Sequence, residues 1–172
     1  RGKWVVISAY PGEKPVFNAT EAGRAALEIK GSYIQVEGLH VSKSGNRGIS
    51  FFPKSHHIIC RNCLIDSTRS YAIYVWQACN VRIIGNTIRW AIYELNNGRG
   101  AEAIHVNGAV NFEIAWNEVL DGGNIGIDVR GLYRGRVHHN YTRNHFRDGI
   151  YIDSWSKMRD VEVYGNLLKN DK

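Results

Sequence analysis

Cysteine is scarce, three in 172 residues, and that scarcity excludes a disulfide framework. Cys60 and Cys63 form an i, i+3 pair with no second pair to complete a zinc site, so these two and Cys79 are expected to be small buried residues and the chain to need no metal or other cofactor. Long apolar runs are missing, so no membrane partner is expected. No stretch joins a basic start, an apolar middle and a small-residue cleavage site. The chain opens directly on RGKWVVISAY, as a mature protein or an excised domain would. Blocks of like charge are lacking too. Lys and Arg outnumber Asp and Glu by 22 to 16, a net +6 that suits an anionic partner, but dispersed charge argues only weakly for nucleic acid. Helical periodicity of 3.6 residues is never sustained. With 44% hydrophobic and 22% charged residues the composition is that of an ordinary globular chain, and residues 1–172 are expected to form a single domain.

What the chain does have is a repeat. VRIIGNTI, FEIAWNEV, GRVHHNYT and VEVYGNLL share an apolar, x, apolar pattern leading to an asparagine, at Asn86, Asn117, Asn140 and Asn166, and Leu39 and Cys63 stand at the matching places earlier. These six markers are 24, 23, 31, 23 and 26 residues apart. A second motif follows each of the first five: GISFF, AIYVW, AIHVN, GIDVR, GIYID. Its middle residue, at Ser50, Tyr74, His105, Asp128 and Tyr151, lies 11, 11, 19, 11 and 11 residues after its marker, and ALEIK places Glu28 the same 11 residues before Leu39. Spacing this regular is the signature of a solenoid.

Each repeat of about 23 residues holds short period-two apolar stretches separated by Gly and Asn, and regular Leu spacing is absent, which leaves a parallel β-helix with three short strands per coil. The expected fold is therefore all-β, a solenoid of about six coils. Asn tolerates the left-handed conformation of a tight corner, and stacked Asn side chains can bond along a ladder. Ile49, Ile73, Ile104, Ile127 and Ile150, with Phe51, Val75, Val106, Val129 and Ile152 two residues on, are the expected inward columns, each aliphatic side chain contributing about 2 kcal/mol when fully buried.

The Asn corners, the strands AIHVNG and GIDVRG, the segment RDGIYIDSW and the leading ISAYPGEKPVF together resemble the right-handed parallel β-helix proteins of the pectate-lyase-like superfamily. The resemblance covers nearly the whole chain and is more specific for fold than for chemistry. It implies a polysaccharide partner, since members of that group are mostly lyases and glycoside hydrolases, and some β-helical domains are non-catalytic modules, xylan-binding ones included, attached to hydrolases. Six coils are few for the enzymes, which fits a domain cut from a larger protein carrying a catalytic domain. A secreted, extracellular location follows from the substrate class alone.

By that resemblance the strands carrying the second motif form the floor of the substrate groove. One outward column then runs Glu28, Ser50, Tyr74, His105, Asp128, Tyr151, and the next runs Lys30, Phe52, Trp76, Asn107, Arg130, Asp153. Strict alternation adds a third outward column of small residues, Gly48, Ala72, Ala103, Gly126 and Gly149, over which a ligand or a loop could approach the backbone. Tyr74, Trp76, Tyr151 and Trp155 offer flat apolar faces to sugar rings, while His105, Asn107, Asp128, Arg130 and Asp153 can bond hydroxyls. An eight-residue insertion in RWAIYELNNGRG and a shorter one in SWSKMRD border this face, making Trp90, Tyr93, Glu94 and Trp155 candidate walls.

Two chemistries compete with plain binding. Asp128 and Asp153, on neighbouring coils and roughly 8 Å apart at the backbone, fall within the ~6.5 to 9.5 Å separation of an inverting hydrolase, with His105 placed to orient Asp128. Arg130 is suitably placed as the base of a lyase, but too few oxygens surround it for the calcium such an enzyme usually uses. A shallow, open face favours a carbohydrate-binding module for a xylan-like or uronate-bearing glycan, in which Asp128→Asn would change retention little.

Overall fold

The computed structural model describes residues 3–93, 100–131, 133–153 and 158–171. Within them the period-two segments form three parallel sheets. Sheet A stacks β1 (Val5–Ser8), β4 (Ile34–Glu37), β7 (His56–Arg61), β10 (Cys79–Ile84), β13 (Val110–Ala115), β16 (Tyr133–His138) and β19 (Arg159–Tyr164). Sheet B stacks β2 (Val16–Asn18), β5 (His40–Ser42), β8 (Leu64–Asp66), β11 (Thr87–Arg89), β14 (Glu118–Leu120), β17 (Tyr141–Arg143) and β20 (Leu167–Lys169). Sheet C stacks β3 (Ala25–Ile29), β6 (Arg47–Phe51), β9 (Ile73–Trp76), β12 (Glu102–Asn107), β15 (Ile125–Arg130) and β18 (Ile150–Ile152). The chain passes from A to B to C and back to A, each strand pairing with its counterpart one coil away. The result is a β-solenoid of about six turns. No described helix is long and apolar enough to cross a membrane.

Register follows the repeat. Glu28 pairs with Ser50, Ser50 with Tyr74, Tyr74 with His105, His105 with Asp128 and Asp128 with Tyr151. The inward columns of sheet C are fully buried from Ile49 and Phe51 through Ile127 and Val129, because β-branched side chains fill a half-buried pleat well and a one-residue slip would turn all of them to solvent. The same holds for Val36, Cys60, Ile83, Ile114 and Val137 in sheet A. At the last coil the columns run out to the surface, where Ile152, Val163 and Leu168 are exposed. Cys60 and Cys63 are buried, Cys79 is partly so, and all three thiols are free.

The corner between sheets A and B corrects one expectation. The left-handed residue is the one before each marker, Gly38, Asn62, Gly85, Trp116, His139 and Gly165, with φ between 52° and 66°, and not the asparagine itself. The asparagines instead point inward. Asn86 Nδ2 donates to Asn117 Oδ1 (2.9 Å), Asn117 Nδ2 to Asn140 Oδ1 (2.9 Å) and Asn140 Nδ2 to Asn166 Oδ1 (3.0 Å). Each Oδ1 also accepts the backbone N–H of the marker one coil back, Cys63 included. The second proton of each amide goes to a sheet A carbonyl, of Cys60, Ile83, Ile114 or Val137. The turn's backbone groups are thereby satisfied without water.

A second correction concerns the small column. Gly48 and Ile49 both donate backbone N–H bonds to the next coil, at 2.9 Å to Tyr71 and 2.9 Å to Ala72, and Gly126 and Ile127 do the same. Two successive inward positions break the alternation here. A Cβ on Gly48 would meet Ala72 O at 2.5 Å and Ile65 Cγ2 at 2.9 Å, and Ala72 and Ala103 are fully buried. These residues are small because they wedge between sheets B and C, not to admit a ligand.

Gly135 pairs with Phe112, whose ring fills the inward space of both coils, and any Cβ at Gly135 would overlap that ring. Gly135→Ala is therefore expected to lower stability by about 1–3 kcal/mol through overpacking. Urea denaturation should show the loss, and Phe112→Leu in the same chain should recover part of it.

Candidate functional site

Because the alternation breaks at Gly48 and its equivalents, the outward neighbour of each second-motif residue lies three positions back. The outer face of sheet C thus gains Arg47, Tyr71 and Glu102 beside Ser50, Tyr74 and His105. None of the three stands out by period two. Reading one residue further back in RGIS, YAIY and EAIH, to the bulky polar residue before each small one, would have found them.

These columns build one continuous stack. The Arg47 guanidinium sits 4.2 Å above the Tyr74 ring. Tyr74 lies parallel to His105, centroids 5.4 Å apart and planes 4° apart, and Tyr71 tilts against both. His105 Nδ1 is 3.0 Å from Asp128 Oδ2 and 3.0 Å from Glu102 Oε2. Arg130 closes the stack, its Nε 3.0 Å from Asp128 Oδ2 and a terminal nitrogen 3.9 Å from Glu102 Oε1.

Burial here departs from the expected open face. Glu102, His105 and Asp128 are 5%, 4% and 0% exposed, although all three lie on the outer side of the sheet. Burial disfavours a charged His105, but the Asp128 and Glu102 carboxylates outweigh it and hold its pKa above the ordinary imidazole value. The Tyr71 hydroxyl is pushed up to about 12, by burial first and by the Glu102 charge second. One ligand atom from each of Glu102, His105 and Asp128 lies within 4.8 Å of the others, the one group of three or more such residues among the described residues that could hold a metal ion.

The remaining predicted residues distribute around this floor. Asn107 pairs in register with Trp76 on one side and Arg130 on the other. Tyr151 and Asp153 are half-buried, the Tyr151 hydroxyl donating to Asp153 Oδ2 at 3.4 Å. Trp76 is 40% exposed and, with Phe52, Tyr74, Arg24, Asn46 and Arg47, lines a shallow hollow of about 280 Å³. Trp90 and Tyr93 are exposed but line a different hollow, with Gly122, His145 and Phe146 at the turn between sheets B and C. Trp155 and Glu94 lie outside the described residues.

A hollow of about 560 Å³ lies on the outer face of sheet A. Its charged side chains answer one another, Glu113 lying 3.5 Å from Arg82 and 3.2 Å from Arg136. We place the candidate site on sheet C instead, where aromatic faces stand exposed beside polar groups.

Residues 18–172 match the family described as the right-handed beta helix region, and the chain belongs to it. No curated protein matches. Two solved structures are similar. The enzymatically active domain of tailspike protein 2 of bacteriophage CBA120 has a TM-score of 0.64 at 20% identity, over 84% of this chain and 22% of that one. The full-length tailspike protein 2 from an Escherichia coli O157:H7 bacteriophage has a TM-score of 0.62 at 20% identity, over 84% of this chain and 19% of that one. The chain spans about a fifth of either tailspike.

Proposed function

We propose that the chain binds a polysaccharide, a xylan-like or uronate-bearing glycan, along the outer face of sheet C as a non-catalytic module. The carrying observation is the division of that face. Trp76, Tyr74 and Phe52 are accessible and share a hollow with Arg24, Asn46 and Arg47, whereas Asp128 is fully buried against His105 and Arg130. Aromatic faces can stack on sugar rings, and neighbouring cations favour a glycan that bears carboxylates. A carboxylate with no exposed surface has none to offer a glycosidic bond. The pairing of Asp128 with Asp153 as acid and base, and of Arg130 as a lyase base, is weakened accordingly. The superfamily resemblance supports a glycan partner in general. With this reading we propose a location outside the cell that makes the protein and a catalytic domain as its partner.

Trp76→Ala and Tyr74→Ala are each expected to reduce retention about tenfold or more in affinity electrophoresis through glucuronoxylan, in line with one to two kcal/mol for a lost aromatic contact. Unchanged migration of both variants would remove the proposal. Release of reducing or unsaturated sugars, abolished by Asp153→Asn, would replace it with a hydrolase or lyase, the reading favoured by the active tailspike domain of like fold.

A further inference from the structure

We propose that Glu102 Oε2, His105 Nδ1 and Asp128 Oδ2 form a binding site for a divalent transition-metal ion, of the Zn²⁺ or Mn²⁺ class, beneath the aromatic platform. The proposal does not depend on the identity of the glycan.

The first argument is an unmet hydrogen-bonding demand. His105 Nδ1 stands 3.0 Å from a carboxylate oxygen on either side, but it carries at most one proton and can serve only one of them at a time, the better aligned being Asp128 Oδ2. Glu102 Oε2 therefore receives no hydrogen bond despite lying against the ring nitrogen, and Asp128 Oδ1 receives none either. Glu102 is 5% exposed and Asp128 0%, so both oxygens are closed to bulk solvent. A buried carboxylate oxygen without a donor is costly, and a cation between the oxygens and the nitrogen removes that cost.

The second argument is metric. In an octahedral shell with bonds of about 2.1 Å, adjacent ligand atoms stand roughly 3.0 Å apart. Nδ1 lies 3.0 Å from each carboxylate oxygen, and one ligand atom per residue falls within a 4.8 Å set. The mixed nitrogen and carboxylate set selects the cation class, since calcium asks for more, all-oxygen ligands and a thiol-loving ion would want cysteine.

The third argument is rigidity. Glu102 and His105 share β12, and Asp128 pairs with His105 from β15, so backbone hydrogen bonds hold all three before any ion arrives. Tyr74, stacked parallel on His105, sets the plane of the imidazole, and Arg130 Nε lies 3.0 Å from Asp128 Oδ2 as a charge partner of that carboxylate.

The experiment is equilibrium dialysis of the chelator-treated full chain against Mn²⁺ and Zn²⁺, with metal counted per chain and melting followed in parallel. One ion per chain is expected, with a higher melting temperature. Glu102→Gln, which keeps the shape and removes the ligand charge, should weaken binding about tenfold or more while the metal-free variant melts no lower than its parent. The pairs His56–His57 and His138–His139, each with Nδ1 atoms 2.9 Å apart, are the alternative nitrogen donors on sheet A, so a His56→Ala, His138→Ala chain must retain the ion. Absence of binding, binding unaffected by Glu102→Gln, or binding lost with His56 and His138 would each overturn the site. If Glu102→Gln does not fold, Co²⁺ added to the parent must shift the ring protons of His105, and unshifted resonances overturn it equally.

Discussion

Asn117→Leu is expected to lower the stability of the solenoid by about 3–5 kcal/mol, a severe loss for one substitution. The side chain is 1% exposed and sits in the middle of the ladder. Its Oδ1 accepts from Asn86 N and Asn86 Nδ2, at 3.0 and 2.9 Å, and its Nδ2 donates to Ile83 O and Asn140 Oδ1, both at 2.9 Å. Leucine keeps the branched outline of the side chain but is larger, so some overpacking adds to the loss. It leaves two donors of Asn86 and the Ile83 carbonyl buried without partners, at about 1–3 kcal/mol each before relaxation. Position in the ladder sets the size of the effect. Asn166, on the last coil, is half-exposed, and Asn166→Leu should cost about 1 kcal/mol because water can reach what it abandons. Urea denaturation of both variants measures the difference. Equal losses would mean that the ladder does not act through burial. Leu39 and Cys63 hold the equivalent places in earlier coils, so the column tolerates an apolar residue where the next coil makes no demand on its side chain.

The ladder also shows what was legible in the sequence. Marker spacing placed every residue of the column from Glu28 to Tyr151 in its true register, because a solenoid repeats one coil and an error of a single residue would have broken the inward isoleucines. The turn conformation was misplaced by one residue. Asn can adopt the left-handed conformation, yet these asparagines are needed inside, and the preceding residue takes the strained angle even as Trp116 or His139. Glu102 escaped notice for a related reason: period two assumes an unbroken pleat, and the inward pair at Ala103 and Ile104 shifts the outward partner of His105 from i−2 to i−3. Burial was not legible at all on this face. Asp128 and Asp153 look alike in the sequence, as outward acids on neighbouring coils, and only the side chains around each reveal that one is enclosed.

That difference supports the second large effect. Asp128→Ala is expected to cost about 3–5 kcal/mol when measured in chelator, so that no bound ion contributes, whereas Asp153→Ala should stay within about 0.5 kcal/mol. Asp128 faces His105 Nδ1 and Arg130 Nε, both 3.0 Å from the same oxygen, with none of its own surface exposed. Removing it leaves Glu102 as the carboxylate that stands 3.0 Å from the His105 ring nitrogen. Arg130 can swing outward, its side chain being 28% exposed, but His105 at 5% cannot. Asp128→Asn, which the sequence alone presents as nearly silent, should fall between the two alanine variants, because its amide would turn protons toward groups that need an acceptor. Adding His105→Leu to Asp128→Leu tests the origin of the cost: an apolar pair of suitable volume commonly recovers what breaking an ion pair loses. If the double variant is as stable as the parent, the network shapes the face above it rather than holding the fold together. If it is not, the stack from Arg47 through Tyr74 and His105 depends on Asp128 as its anchor, and the aromatic surface that is to meet the glycan depends on it as well.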